Sequence, residues 1–68
     1  MNQAAIIPSD WVQGWILESM TGYSPDAQKA KRKEGIWEEG VHWRKAPDGR
    51  IMYNWRAIDR WVTQERAA

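Results

Sequence analysis

Apolar side chains near the start of the chain recur at the spacing of an amphipathic helix. They lie on one predicted face together with one serine: Trp11, Val12, Trp15, Ile16, Ser19 and Met20. Ser9 or Asp10 supplies the N-cap of this helix, and Gly22 is the residue just past its end. A glycine inside a helix lowers its stability by about 1 kcal/mol relative to alanine. The presence of Gly14 despite this cost indicates that the backbone packs closely at this position. A short strand is expected before the helix, at residues 6–7.

The next segment carries the clearest helix start in the chain. Ser24 is the predicted N-cap, Pro25 occupies the first helical position and Asp26 places an acid in the first turn. The helix is predicted to run to Glu34 and to stop at Gly35. The short connection to the preceding helix predicts a sharp crossing, as in a helix-turn-helix. The groups available for packing are two alanines and the aliphatic stems of two polar residues: Ala27, Ala30, Gln28 and Lys31.

A β-hairpin and a third helix are predicted to follow. Apolar and polar residues alternate across 41–45 and 50–54, and Pro47 and Gly49 fit the second and fourth positions of a type I turn. The last helix begins near Asn54, with apolar residues at helical spacing: Trp55, Ile58, Trp61 and Val62. The expected fold class is α+β, a small winged helix-turn-helix with a helix, a turn, a short recognition helix, a β-hairpin wing and a C-terminal helix. We expect a single domain over residues 1–68, with a core at about 6–63.

The aromatic composition bears on how such a small domain fills its core. The chain has 68 residues, with six Trp, two Tyr and no Phe. A domain of this size buries only about 60% of its unfolded surface, so large side chains must supply the burial. We expect four tryptophans in the core and leave two unassigned: Trp11, Trp15, Trp43 and Trp61, against Trp37 and Trp55.

Catalytic and metal chemistry have little support in the sequence. The chain has no Cys, and its His, Asp and Glu residues lack the spacing of a metal site. A nucleophile with a positioned base is not visible either. We expect His42 to pack near the last helix, and Glu38 and Glu39 to lie in a solvated loop. The sequence therefore predicts a protein without a catalytic residue, metal or cofactor.

The net charge is only +1, but the charged residues are unevenly distributed along the chain. The basic residues are concentrated in the second helix and around the hairpin turn: Lys29, Lys31, Arg32 and Lys33, then Arg44, Lys45 and Arg50. Local basic patches attract phosphate more than the total charge does. A basic helix followed by a basic hairpin is typical of a protein that binds duplex DNA.

Individual residues can be given roles in such a complex. Lysines of the helix contact phosphates; Arg32 reads a guanine by a bidentate contact, and Gln28 either reads an adenine or packs half-buried. Ser24, at the helix N-terminus, could hold a phosphate, although Asp26 opposes this. The alternative for the helix is a solvated basic face, and for the hairpin a charged edge that prevents aggregation.

The order of these elements resembles phage and prophage excisionases, small proteins of the MerR-like winged-helix group. The resemblance covers about residues 6–63 and is carried by several short motifs: Thr21-Gly22-Tyr23-Ser24, the helix end at Gly35, Gly40-Val41-His42-Trp43, Pro47-Asp48-Gly49-Arg50, Tyr53-Asn54, Ile58-Asp59 and Trp61-Val62. It implies a recombination directionality factor without catalytic activity. Such a factor binds and bends attachment-site DNA, often cooperatively with other copies, and directs a phage integrase toward excision.

The resemblance also implies a mode of DNA binding. The helix from Ser24 to Glu34 would enter the major groove, and the wing tip would contact the backbone or a minor groove. The predicted contacts are Ser24, Gln28, Lys29, Arg32 and Lys33 on the helix, and Arg44, Lys45 and Arg50 on the wing. We expect a cytoplasmic protein associated with DNA in a bacterial host, since no signal peptide or membrane span is visible. Any integrase contact would use the folded surface or the last few residues.

Two questions stay open from the sequence. The family usually buries aliphatic residues where this chain has Gln28 and Lys31. If these two pack inward, Lys29 and Lys33 point outward; if the two alanines pack, Lys29 and Arg32 do. A small phage transcriptional regulator on the same fold is the main alternative function, and a protein-interaction module using exposed Trp is a weaker one.

Overall fold

The computed structural model describes residues 10–64, which form three helices and a three-stranded antiparallel sheet. The elements in chain order are β1 Trp11–Gln13, α1 Gly14–Thr21, α2 Pro25–Lys33, β2 Trp43–Lys45, β3 Ile51–Asn54 and α3 Trp55–Val62. The strands are arranged in the order β1-β3-β2. This is the predicted α+β class, with the expected succession of helix, turn, short helix, hairpin and C-terminal helix.

The prediction of a helix from Trp11 onward is wrong, because Trp11–Gln13 is strand β1. Val12 lies opposite Tyr53 in β3, and both side chains are buried. Pairing with β3 satisfies the backbone of this segment and places Val12 in the core beside Tyr53. Asp10 is therefore not a helix cap; the strand expected at residues 6–7 and the alternative cap, Ser9, lie outside the described residues.

The predicted helix signals are otherwise confirmed. Gly22 ends α1 with a φ of 84°, a left-handed conformation that favours glycine. The Ser24 hydroxyl caps α2 by accepting the Ala27 N–H at 3.2 Å, with Pro25 at the start of the helix. Asn54 caps α3 in the same way, and its side chain accepts the Ala57 N–H at 3.0 Å.

The hairpin turn also follows the prediction. Gly49 donates its N–H to the Ala46 carbonyl at 2.8 Å, which closes the four-residue turn. Asp48 accepts the Arg50 N–H at 3.0 Å and stabilises the turn from the side. The wing of β2 and β3 is therefore a tight hairpin whose register places Trp43 opposite Tyr53.

Trp37, whose position the sequence left open, lies at the centre of the core. Its side chain is 0% exposed and makes edge-to-face contacts with Tyr23, Tyr53 and Trp61, at 5.5–5.8 Å between ring centroids. Leu17 and Ile58 complete the fully buried set. The Trp37 indole N–H is buried and has no hydrogen-bond partner in the described part of the chain. Aromatic packing thus dominates this small core.

The prediction of a core position for Trp15 is wrong, since its side chain is 66% exposed. Starting α1 at Gly14 turns Leu17 inward instead. Trp43 and Trp61 are half-buried and pack against the core, as does Trp55. Trp11 is half-buried on the sheet face opposite Val12, because neighbouring residues of a strand point to opposite faces.

Candidate nucleic-acid interface

The packing of α2 against α1 depends on one polar side chain. Gln28 is only 3% exposed, and its amide N–H groups donate to the Gly14 carbonyl at 3.0 Å and the Tyr23 carbonyl at 2.9 Å. Burial of Gln28 agrees with the alternative of a packing role, and leaves the amide with no exposed edge for reading a base. Of the two rotations considered for α2, the structure has the one in which Gln28 faces inward.

Gly14 allows this close approach. A Cβ atom added at Gly14 would lie 2.7 Å from the amide oxygen of Gln28, well inside contact distance. The close packing expected at this position is therefore confirmed, and its partner is the Gln28 side chain.

Replacing Gln28 with leucine is expected to destabilise the fold by about 1–3 kcal/mol. Leucine retains the approximate volume but removes both N–H donors, so the Gly14 and Tyr23 carbonyls lose the hydrogen bonds from the amide. Urea unfolding followed by circular dichroism measures the change. An unchanged midpoint would show that water replaces the amide at no loss in stability.

The same rotation determines where the basic residues of α2 lie. Lys29 and Lys33 are exposed on the outer side of the helix. Lys31 is half-buried, with its ammonium 5.5 Å from the Tyr23 ring centroid and 5.6 Å from that of Trp61. Lys31 therefore covers the aromatic core, while Lys29 and Lys33 are exposed to solvent.

The Arg32 side chain extends from α2 to the wing. It is half-buried, and its Nη1 donates to the Tyr53 hydroxyl at 2.6 Å. The guanidinium carbon also lies 5.6 Å from the Trp43 ring centroid. Burial raises the pKa of Tyr53, with the Arg32 charge opposing, so the hydroxyl is protonated and neutral near pH 7.

The basic residues of the wing are divided between two faces of the sheet. Lys45 shares the inner face with Trp43 and Tyr53, on the side where Arg32 of α2 lies. Arg44 points to the opposite face, where its guanidinium carbon lies 5.4 Å from the Trp11 ring centroid. The three wing residues predicted to bind DNA therefore do not form one patch.

Arg50 joins Arg44 on this opposite face. Its guanidinium contacts Gln13 at 3.4 Å and forms an exposed ion pair with Asp48 at 3.5 Å. An exposed pair of this kind contributes little to stability, so Arg50 remains available to another anion.

Ser24 is exposed at the N-terminus of α2, where its hydroxyl is already engaged by the Ala27 N–H. Asp26 is exposed in the same first turn. At the start of α2 the helix dipole attracts anions and the Asp26 carboxylate repels them, so the two effects oppose each other.

The remaining candidates lie away from α2. His42 precedes β2, and its Nδ1 accepts the Glu38 N–H at 2.9 Å. Burial lowers the pKa of His42; Glu38 opposes this effect and Arg60 adds to it. Glu38 and Glu39 are exposed, as expected for a solvated loop. Within residues 10–64 no group of three or more His, Cys, Asp and Glu could hold a metal ion. Over the same range no helix is long and apolar enough to cross a membrane.

Sequence reasoning missed the part that Tyr53 and Trp43 play in holding Arg32. The contact joins residues 21 positions apart, on a helix and a strand. The alternation across 50–54 gave no signal for the partner of Tyr53. Only the observed rotation of α2 brings the guanidinium to the wing.

Sequence comparisons find similarity to a known protein and to a protein family. A 52-residue stretch, 76% of the chain, is 33% identical to an octanoyltransferase of Novosphingobium aromaticivorans, and spans only 22% of that protein. The chain thus covers about a fifth of this relative's length. No solved structure matches. The model of the family described as "Putative excisionase (DUF1233)" matches residues 3–66, almost the whole chain. The protein therefore belongs to this family of excisionase-like proteins.

Proposed function

We propose that this protein binds duplex DNA at an attachment site, bends it and directs a phage integrase toward excision of the element. Membership of the excisionase family supports the connection with phage excision. The observation that carries the DNA-binding step is the exposure of Lys29 and Lys33 on α2, beside a hairpin with further basic residues. The chain itself supplies no chemistry in this proposal; it changes the shape of DNA on which another protein acts.

In the proposed complex α2 enters the major groove, as in the MerR-like winged-helix group. Lys29 and Lys33 contact phosphates, and Arg32 reads a base with the N–H groups that Tyr53 does not use. Ser24 lies at the end of α2 that approaches the DNA backbone in this complex. Gln28 is assigned to packing.

The divided wing suggests that the hairpin tip enters between two phosphate chains. Lys45 lies on the face that is continuous with Arg32, while Arg44 and Arg50 lie on the other face. A hairpin with cations on both sides can contact both walls of a minor groove, where flanking phosphates lie on either side. This arrangement favours DNA over a flat acidic protein surface, which would meet one side only.

The proposal is tested by fluorescence anisotropy of a labelled duplex of about three helical turns, titrated with the protein at about 50 and 200 mM salt. We expect the affinity to fall by roughly tenfold or more between the two conditions, as it does when several phosphates are contacted. Absence of binding at the lower salt would overturn the proposal. Exposed Trp15 would then be the first group to test for a protein partner.

A small phage transcriptional regulator is the second candidate, because it would need the same basic helix and wing. The two functions differ in genetic context and in outcome. A gene beside an integrase gene, and excision that depends on the protein in a reconstituted reaction, support the excisionase. Repression of a nearby promoter without any effect on excision supports the regulator.

A further inference from the structure

The hydrogen bond between Arg32 and Tyr53 connects the proposed recognition helix to the wing. It joins Nη1 of Arg32 in α2 to the hydroxyl of Tyr53 in β3 at 2.6 Å. Tyr53 is 2% exposed, and its ring packs edge-to-face on Trp37 at 5.8 Å between centroids. The hydroxyl is therefore held in place by the core and can act as a fixed acceptor.

Arg32 has donors left over after this bond. A guanidinium has five N–H groups, and within the described residues only one is used in a hydrogen bond. Across residues 10–64 Arg32 has no carboxylate partner, since the ion pairs there are Arg50 with Asp48 and Arg56 with Asp10. Within residues 10–64 its charge is thus held beside Trp43 without a carboxylate counter-ion.

The surroundings of Arg32 favour an anionic or acceptor-rich ligand. Lys29 and Lys33 lie on the exposed side of the same helix, and Lys45 lies on the neighbouring sheet face. A flexible arginine would lose conformational freedom on binding DNA. An arginine already oriented by a hydroxyl and a ring loses less, so its contact is stronger and more selective.

We propose that Tyr53 is a positioning residue for DNA recognition: its hydroxyl orients the Arg32 guanidinium so that the unused N–H groups face a base edge. The inference rests on the proposed DNA-binding function and deepens it. Tyr53 itself is buried and touches no DNA. It acts through Arg32 and contributes to the choice of site more than to general affinity for DNA.

Tyr53→Phe tests this inference, because phenylalanine retains the ring in the core and removes only the hydroxyl. The probes are a duplex selected by the wild-type protein from a randomised pool and a scrambled duplex of the same composition. We expect the ratio of the two affinities to fall by about 3- to 10-fold, the change that one hydrogen bond supports. Affinity for the scrambled duplex should stay within about twofold.

Tyr23→Phe is the matched control. Tyr23 is the other tyrosine in the chain, and its ring also packs on Trp37, but its hydroxyl is not bonded to Arg32. Removal of the Tyr23 hydroxyl should leave the ratio of affinities for the selected and scrambled duplexes unchanged. Equal losses of selectivity in both variants would assign the effect to core packing and overturn the inference.

A double-mutant cycle separates positioning from a merely structural role. If Tyr53 acts through Arg32, then Tyr53→Phe has no further effect on selectivity in an Arg32→Ala background. The same loss in both backgrounds contradicts the inference. A wild-type protein that enriches no duplex from the randomised pool would instead contradict the proposed function, and the inference would fall with it.

A measurement on the free wild-type protein covers the case in which Tyr53→Phe does not fold. NMR of the arginine side chains reports rotation of each guanidinium. We expect the Arg32 N–H resonances to be separate because its rotation is slowed by the hydroxyl and the ring. Rapid rotation of Arg32, like that of exposed Arg60, would overturn the inference.

Discussion

Replacement of Trp37 by alanine is expected to destabilise the fold by about 3–5 kcal/mol, the usual loss when a fully buried tryptophan is truncated. Trp37 is 0% exposed and is the ring on which Tyr23, Tyr53 and Trp61 converge. The stability of a domain of this size is itself only about 3–10 kcal/mol. We therefore expect a largely unfolded variant, detected as lost helical circular dichroism and a noncooperative urea transition.

Trp15→Ala provides the matched control for this experiment. The same atoms are removed, but from a side chain that is 66% exposed. The change in unfolding free energy should lie within about 0.5 kcal/mol, as for most surface substitutions. Comparable losses for the two variants would show that Trp15 is buried in solution and that the core differs from the one described.

The second large effect is expected on DNA binding. Lys29→Gln with Lys33→Gln removes two charges from the exposed side of α2. Each phosphate contact contributes about 0.9 to the slope of log affinity against log salt, so the slope should fall by about 2. Near 0.1 M salt the affinity should drop by about one to two orders of magnitude. Anisotropy titrations over several salt concentrations measure both quantities.

Arg60→Gln is the control for net charge. Arg60 is exposed on α3, outside the proposed interface. Arg60→Gln should leave the slope of log affinity against log salt unchanged, whereas Lys29→Gln alone should lower this slope by about 1. A loss of affinity that simply follows total charge in all variants would remove the special role of α2.

Local signals in the sequence predicted much of the fold because they act over a few residues. The capping side chains of Ser24 and Asn54 bond N–H groups three positions away, so the starts of α2 and α3 could be predicted. Gly22 and the Pro47–Gly49 turn are equally local. Such features depend on backbone geometry that neighbouring residues determine.

The predictions that were wrong concern contacts between residues far apart in the chain. Strand β1 exists because it pairs with β3, which lies about forty residues further along the chain. Its three residues match a helical pattern equally well, and only the distant partner selects the strand. This early error also shifted the predicted face of α1, so Trp15 was placed inside and Leu17 was not.

The candidate site was predicted in its outline and not in its details. Clustering of basic residues in α2 and the hairpin is visible in the sequence. The rotation of α2 is not, because a buried glutamine satisfied by two carbonyls has no periodic signal. That rotation decides that Lys33 is exposed and that Arg32 reaches Tyr53.

The attachment of α2 by a buried amide has a consequence for how this protein changes over evolutionary time. Gln28 holds the helix from its inner side, while positions 26, 29, 30 and 33 are exposed. Substitutions at those four positions leave the core and the amide contacts intact. If α2 binds DNA as proposed, descendants of this chain can therefore change their DNA contacts on one helix surface, with the scaffold inherited unaltered.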